Sequence, residues 1–160
     1  MPALLRLTAF VFTLAWGAAT PAWAEADFQK GLAAYRAGDF ATALKEWRPL
    51  AEKGLAKAQH NLGVMYYKGR GVPQNYGEAL RWYRLAAEQG FGLAQFNLGV
   101  IYAEGRGVKQ DYVQAHMWYS LAGTHGDQKG LSSRNALEKM MTAADIATAQ
   151  KLAREWKPKK

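Results

Sequence analysis

Two stretches of this chain are copies of each other. Aligned without gaps, Leu55 to Gly90 and Phe91 to Gly126 agree at nineteen of 36 positions. The shared skeleton reads A-Q-x-N-L-G-V-x-Y-x-x-G-R-G-V-x-Q-x-Y-x-x-A-x-x-W-Y-x-L-A-x-x-x-G. A unit this short cannot bury its own apolar face, so neighbouring units must stack. An earlier, shorter copy precedes them. Phe40 to Leu44 lies 36 residues before Tyr76 to Leu80, and Gly54 lies 36 before Gly90. That copy lacks about six residues of loop, so Tyr35-Arg36-Ala37-Gly38 runs almost directly into Asp39-Phe40.

Each full copy holds two helical stripes. Ala58, Leu62, Met65 and Tyr66 fall on one face, as do Ala79, Trp82, Tyr83 and Ala86. Gly69-Arg70-Gly71-Val72-Pro73 breaks the chain between them, and Gly90 stops the second helix. The unit is therefore a helix–turn–helix hairpin. Gly63 and Gly99 recur inside the first helix, where glycine costs about 1 kcal/mol relative to alanine. Their recurrence predicts that another helix passes close to that backbone. Ala79, Ala86, Ala115 and Ala122 would serve the same approach, with Tyr66, Trp82 and Tyr83 filling the gaps between hairpins.

The ends differ from the array. Arg6, the apolar run Leu7 to Ala19, and Ala22-Trp23-Ala24 after Pro21 form the pattern of a secretory signal peptide cleaved after Ala24. The run is well short of the roughly 20 residues that a membrane span needs. After the last copy, Thr142-Ala143-Ala144-Asp145 reads as a capping box, followed by the stripe Ile146, Ala149, Leu152, Ala153, Trp156. Residues 127–156 are expected to form a closing helical pair that shields the last repeat. The expected division is a signal peptide (1–24), a degenerate repeat (25–54), two full repeats (55–90 and 91–126), and capping helices with a basic tail (127–160).

Charge and composition exclude several functions. The net charge is +8, and Lys151, Arg154, Lys157, Lys159 and Lys160 gather at the C-terminus against Glu155 alone. A basic tail on a nearly balanced body is no nucleic-acid face. It reads as a solvated tail beyond Pro158, with weak contact to an anionic surface as the other reading. The absence of cysteine excludes a disulfide scaffold, a thiolate zinc site, a cysteine nucleophile and a lipidated N-terminal cysteine. His60, His116 and His125 have no metal-ligand spacing, so no metal or other cofactor is expected. The two Gly-Arg-Gly loops lack the preceding strand and following Lys-Ser/Thr of a phosphate loop, and read as tight turns. No serine sits in a nucleophile elbow. Glu78, Glu88 and Glu104 align with Gln114, Thr124 and Lys68, so they read as solvated helix faces. The recurring rings are expected in the core, not as a base-stacking platform.

The N-L-G-x-x-Y, G-x-G-V and A-x-x-W-Y-x-x-A elements at fixed spacing resemble the Sel1-like repeat, a relative of the tetratricopeptide repeat with a longer inter-helix loop. The resemblance covers Asp27 to Gly126. It implies an all-α, right-handed α-α superhelix of about eight helices. Some secreted members carry a cysteine pair in each repeat; this chain has none, so that branch's activities do not transfer. By the same resemblance the first helices line a concave groove. That places Gln29, Ala33 and Arg36, then Lys57, His60, Val64 and Tyr67, then Leu93, Phe96, Val100 and Ala103 on it. This mixed face suits a protein or peptide partner. His60, Tyr67 and Phe96 are the expected contacts, while Val64 and Val100 stand equally open to packing between first helices. The function expected is a non-catalytic exported adaptor, in the periplasm or secreted. The alternatives are a cell-envelope hydrolase or glycan-binding factor, and an outside inhibitor of a membrane sensor.

Overall fold

A computed structural model describes residues 20–124 and 126–159. Residues 1–19 of the expected signal peptide, His125 and Lys160 lie outside the described residues, while the last residues of that peptide, Ala22-Trp23-Ala24, open the first helix and Ala24 is buried there. Among the described residues there are eight helices and no strand. They are α1 (Ala22–Arg36), α2 (Phe40–Glu52), α3 (Ala56–Lys68), α4 (Tyr76–Glu88), α5 (Gly92–Glu104), α6 (Tyr112–Thr124), α7 (Gln128–Glu138) and α8 (Ala143–Glu155). Consecutive helices pack on one another from α1 through α7, giving an all-α superhelix of stacked hairpins. No helix among the described residues is long and apolar enough to cross a membrane.

Both helical stripes lie in the core. Ala58, Leu62 and Met65 are buried on α3, and Ala79, Trp82, Tyr83 and Ala86 on α4. Side-chain caps start most second helices. Asp39, Asn75 and Asp111 accept the backbone N–H of Thr42, Glu78 and Gln114, satisfying a donor with no partner inside the helix. Gly69 and Gly105 end the first helices in the left-handed region, at φ 64° and 67°.

The interior glycines have a more specific cause than a neighbouring helix backbone. A Cβ on Gly63 would sit 2.5 Å from the Tyr83 ring, and one on Gly99 would sit 2.6 Å from the Tyr119 ring. Gly31 meets the Trp47 ring in the same way. Each hairpin closes by laying an aromatic face on the bare backbone of its first helix.

The loops also do more than turn. Arg70 donates to the Tyr35 hydroxyl at 2.8 Å and lies against the Tyr35 and Phe40 rings. Arg106 repeats the contact on Tyr76 and Tyr67. Gly71 and Gly107 press against Phe40 and Tyr76 at the starts of α2 and α4. Each Gly-Arg-Gly loop therefore staples its repeat to the one before. Two buried glutamines act similarly: Gln59 and Gln95 donate to the carbonyls of Ala51 and Ala87, in the last turns of the preceding helices.

In the C-terminal segment α7 and α8 both pack on α6, and not chiefly on each other. Thr142 caps α8 by accepting from the Asp145 N–H, while its hydroxyl donates to the Asp145 carboxylate at 2.7 Å. The stripe of α8 then crosses α6, with Trp156 edge-on to Trp118 at 6.3 Å. The tail departs from expectation, because it does not simply enter solvent after Pro158. The Lys159 N–H donates to the Glu88 carbonyl at 2.7 Å, and its ammonium pairs with the Glu88 carboxylate at 2.9 Å. Glu88 is thus a docking point, not a purely solvated residue. Glu104 likewise pairs with Arg106, and Glu78 with Arg81.

Candidate functional site

The expected groove residues arise from i, i+4 and i+7 positions on the face of α3 and α5 opposite the deepest stripe. Stacking α3 beside α5 brings five of them together. His60, Val64 and Tyr67 from α3 and Phe96 and Val100 from α5 line one cavity of about 370 Å³. Lys68, Tyr83 and Asn97 complete the wall. The other expected members lie outside that cavity, Lys57 and Leu93 among them. Lys57 pairs with Glu25 of α1 and sits over the Phe28 ring. Leu93 is 55 % exposed beside Gly126 and Asp127, at the far end of α5.

His60 is the polar centre of the wall. Its Nε2 accepts from the Asn97 amide at 3.0 Å, and its Nδ1–H donates to the Asn61 side-chain oxygen at 3.2 Å. The ring also meets Tyr83 and Phe91, at centroid distances of 5.8 and 5.4 Å. Burial disfavours the imidazolium and holds the His60 pKa below the ordinary 6.5. The neutral ring therefore joins α3 to α5, and protonating Nε2 would set it against the Asn97 amide donors. With the folded pKa below the unfolded one, this stability is full above pH 6.5 and is lost as pH falls towards the folded value. The drop in melting temperature between pH 6.5 and about 5.5 should accordingly be smaller in His60→Phe than in the unsubstituted protein. Phenylalanine is the repeat's own alternative, standing at Phe96. Equal slopes for the two proteins would show that His60 is not titrating against the fold.

Tyr83 and Tyr67 frame the other side. Burial raises the Tyr83 phenol far above its usual range, so it stays protonated. The Tyr67 hydroxyl donates to Glu104 at 3.3 Å, one repeat further on. Sequence reading assigned Tyr83 to the core and did not single out Lys68 or Asn97. The signal for Asn97 was its recurrence in the skeleton, as Asn61 and Asn97, without any core role.

A second polar group is closed to substrates. His116 is buried between the Glu138 carboxylate, 2.8 Å from Nε2, and the Ser120 hydroxyl, 3.4 Å from Nδ1. The residue types are those of an acid–base relay, but His116 is fully covered and ties α6 to α7. Among the described residues, no three His, Asp or Glu side chains gather in a metal-binding arrangement.

The Sel1 repeat family model matches residues 56–91 and 92–127, one residue downstream of the boundaries read from the internal copies. The chain is a Sel1-repeat protein. Its fold is similar to the crystal structure of a protective antigen from uropathogenic Escherichia coli described as an SLR fold, with a TM-score of 0.80 and 37 % identity. That match covers 83 % of this chain and 29 % of the antigen. It is also similar to a Sel1 repeat protein from Oxalobacter formigenes, with a TM-score of 0.64 and 36 % identity, over 69 % of this chain and 47 % of that one. The chain thus spans less than half the length of either. No curated protein matches it in sequence. Sel1 repeats are in general scaffolds for protein–protein interaction and are typically non-catalytic. In this one, the cavity between α3 and α5 is built from both Sel1 repeats, since His60 and Asn97 come from successive copies.

Proposed function

We propose that this protein is an exported, non-catalytic adaptor that holds a segment of a partner protein in the concave groove of its Sel1 repeats. The supporting observation is the convergence of His60, Val64, Tyr67, Phe96 and Val100 on one cavity between adjacent first helices. The wall is apolar and aromatic with a few polar groups, which suits anchoring a few side chains of an extended or helical segment. Export is supported by Arg6, the apolar run and Ala22-Trp23-Ala24 in the sequence.

Capture from cell-envelope extract tests this reading. Immobilised protein should retain a defined set of proteins. A variant carrying His60→Ala, Tyr67→Ala and Phe96→Ala should lose them by at least about fivefold while keeping its helical circular dichroism. An unchanged set of captured proteins would place the binding surface elsewhere.

A further inference from the structure

The cavity wall specifies more than a groove. Its apolar part, Val64, Phe96 and Val100 with the Tyr83 ring, leaves about 370 Å³, room for one large side chain with some flanking main chain. Tyr83 is only 3 % exposed. Its hydroxyl has no hydrogen-bond partner among the described residues. It is also not among the sealed unpartnered atoms, which are Trp82 Nε1, Gln95 Oε1, Trp118 Nε1 and Asp127 Oδ2. It therefore keeps some exposed surface, on a residue that lines the cavity, and is a protonated donor there.

Charge narrows the occupant. Lys68 lines the cavity, is exposed, and makes no ion pair among the described residues. No carboxylate lines the cavity. Glu104, which occupies the position of Lys68 in the next repeat, is held by Arg106 and by the Tyr67 hydroxyl. Across the Phe96 ring lies a second hollow, lined by Gln128, Lys129, Ser132 and Ser133. Lys129 also makes no ion pair among the described residues. The two hollows share the Phe96 ring, so a segment can run from one to the other past Lys68 and Lys129, and neither lining among the described residues contains a carboxylate.

We propose that the occupant is an internal peptide segment pairing one large apolar side chain, seated on Val64, Phe96 and Val100, with a flanking aspartate or glutamate facing Lys68. A main-chain carbonyl of that segment accepts from the Tyr83 hydroxyl. This rests on the groove reading above and adds the chemistry of the ligand to it.

The test is selection of random heptapeptides displayed on phage, fused so that none has a free C-terminus, against the purified protein. Enriched peptides should share a Leu, Phe or Met with Asp or Glu within two residues. By fluorescence polarisation, Lys68→Glu should weaken a synthetic Asp-Leu-Glu heptapeptide about tenfold and strengthen its Lys-Leu-Lys counterpart. Tyr83→Phe should weaken the acidic peptide about threefold or more with little change in melting temperature. Enrichment of basic or uncharged flanks, or indifference to Lys68→Glu, in peptides still lost on Phe96→Ala would overturn this ligand chemistry and leave the groove standing. Absence of enriched peptides, or binding indifferent to Phe96→Ala, would remove the groove reading and this inference with it.

Discussion

Replacing Gly99 by alanine is expected to destabilise the protein by about 1–3 kcal/mol, although alanine is the better helix former. In an open helix the substitution would gain about 1 kcal/mol. Here the new methyl group would stand 2.6, 2.7 and 3.1 Å from Cδ1, Cε1 and Cγ of Tyr119. That ring has little room to retreat. It is buried in a cluster with Ala115 and Leu137, and Phe96 lies 5.6 Å from it between centroids. Gly63→Ala should behave alike against Tyr83, and the two together should lower the thermal midpoint by close to the sum. A double-mutant cycle isolates the cause. In a Tyr119→Leu background the ring is gone, so Gly99→Ala should turn from destabilising to neutral or stabilising. A stabilising effect in the unsubstituted protein, read by thermal or urea unfolding, would mean the ring does not rest on this backbone.

Ending the chain at residue 141 should cost more. The cut removes α8 and with it Ala149, Leu152, Ala153 and Trp156, which cover Trp118 and its neighbours on α6. Losing the burial of two large side chains and several smaller ones amounts to about 3–6 kcal/mol. That is a large part of a typical domain's stability. The bared Trp118, Met117 and Leu121 should also drive self-association, visible by light scattering. A chain ending at Trp156 keeps the ring contact and loses, among the described residues, the Lys159 bonds to Glu88. It should stay within about 1 kcal/mol of the full chain. If the shorter chain melted cooperatively at the unchanged temperature, α8 would not be the cap.

These two results separate kinds of information in the chain. The helix stripes, the turn glycines, the Thr142 cap and the buried rings were all legible, because each depends on spacing within one helix or one turn. The small residues at 63 and 99 were recognised as close-approach positions, but the identity of the approaching group was not. Tyr83 and Tyr119 follow their glycines by 20 residues, and that distance is set by how the hairpin closes.

The candidate site divides in the same way. The 3.6-residue period set His60, Val64 and Tyr67 on one face of α3 and Phe96 and Val100 on one face of α5, and the family resemblance turned both faces to the groove. Finding that Asn97 bonds His60, that Lys68 and Tyr83 share their cavity, and that Lys57 turns to Glu25 needed the offset between adjacent hairpins. Leu93 obeys the helical period yet lies at the end of α5 away from the cavity, because position along the axis matters as much as angle around it.

By itself, the sequence determined a stack of helical hairpins, since a 36-residue unit with two amphipathic stripes has no other way to hide its apolar faces. Only the tertiary structure decided where α8 and Lys159 come to rest and which side chains of successive repeats meet. Those contacts join residues tens of positions apart, and their geometry follows from the rotation between neighbouring hairpins, a property of packed surfaces that residue spacing does not encode.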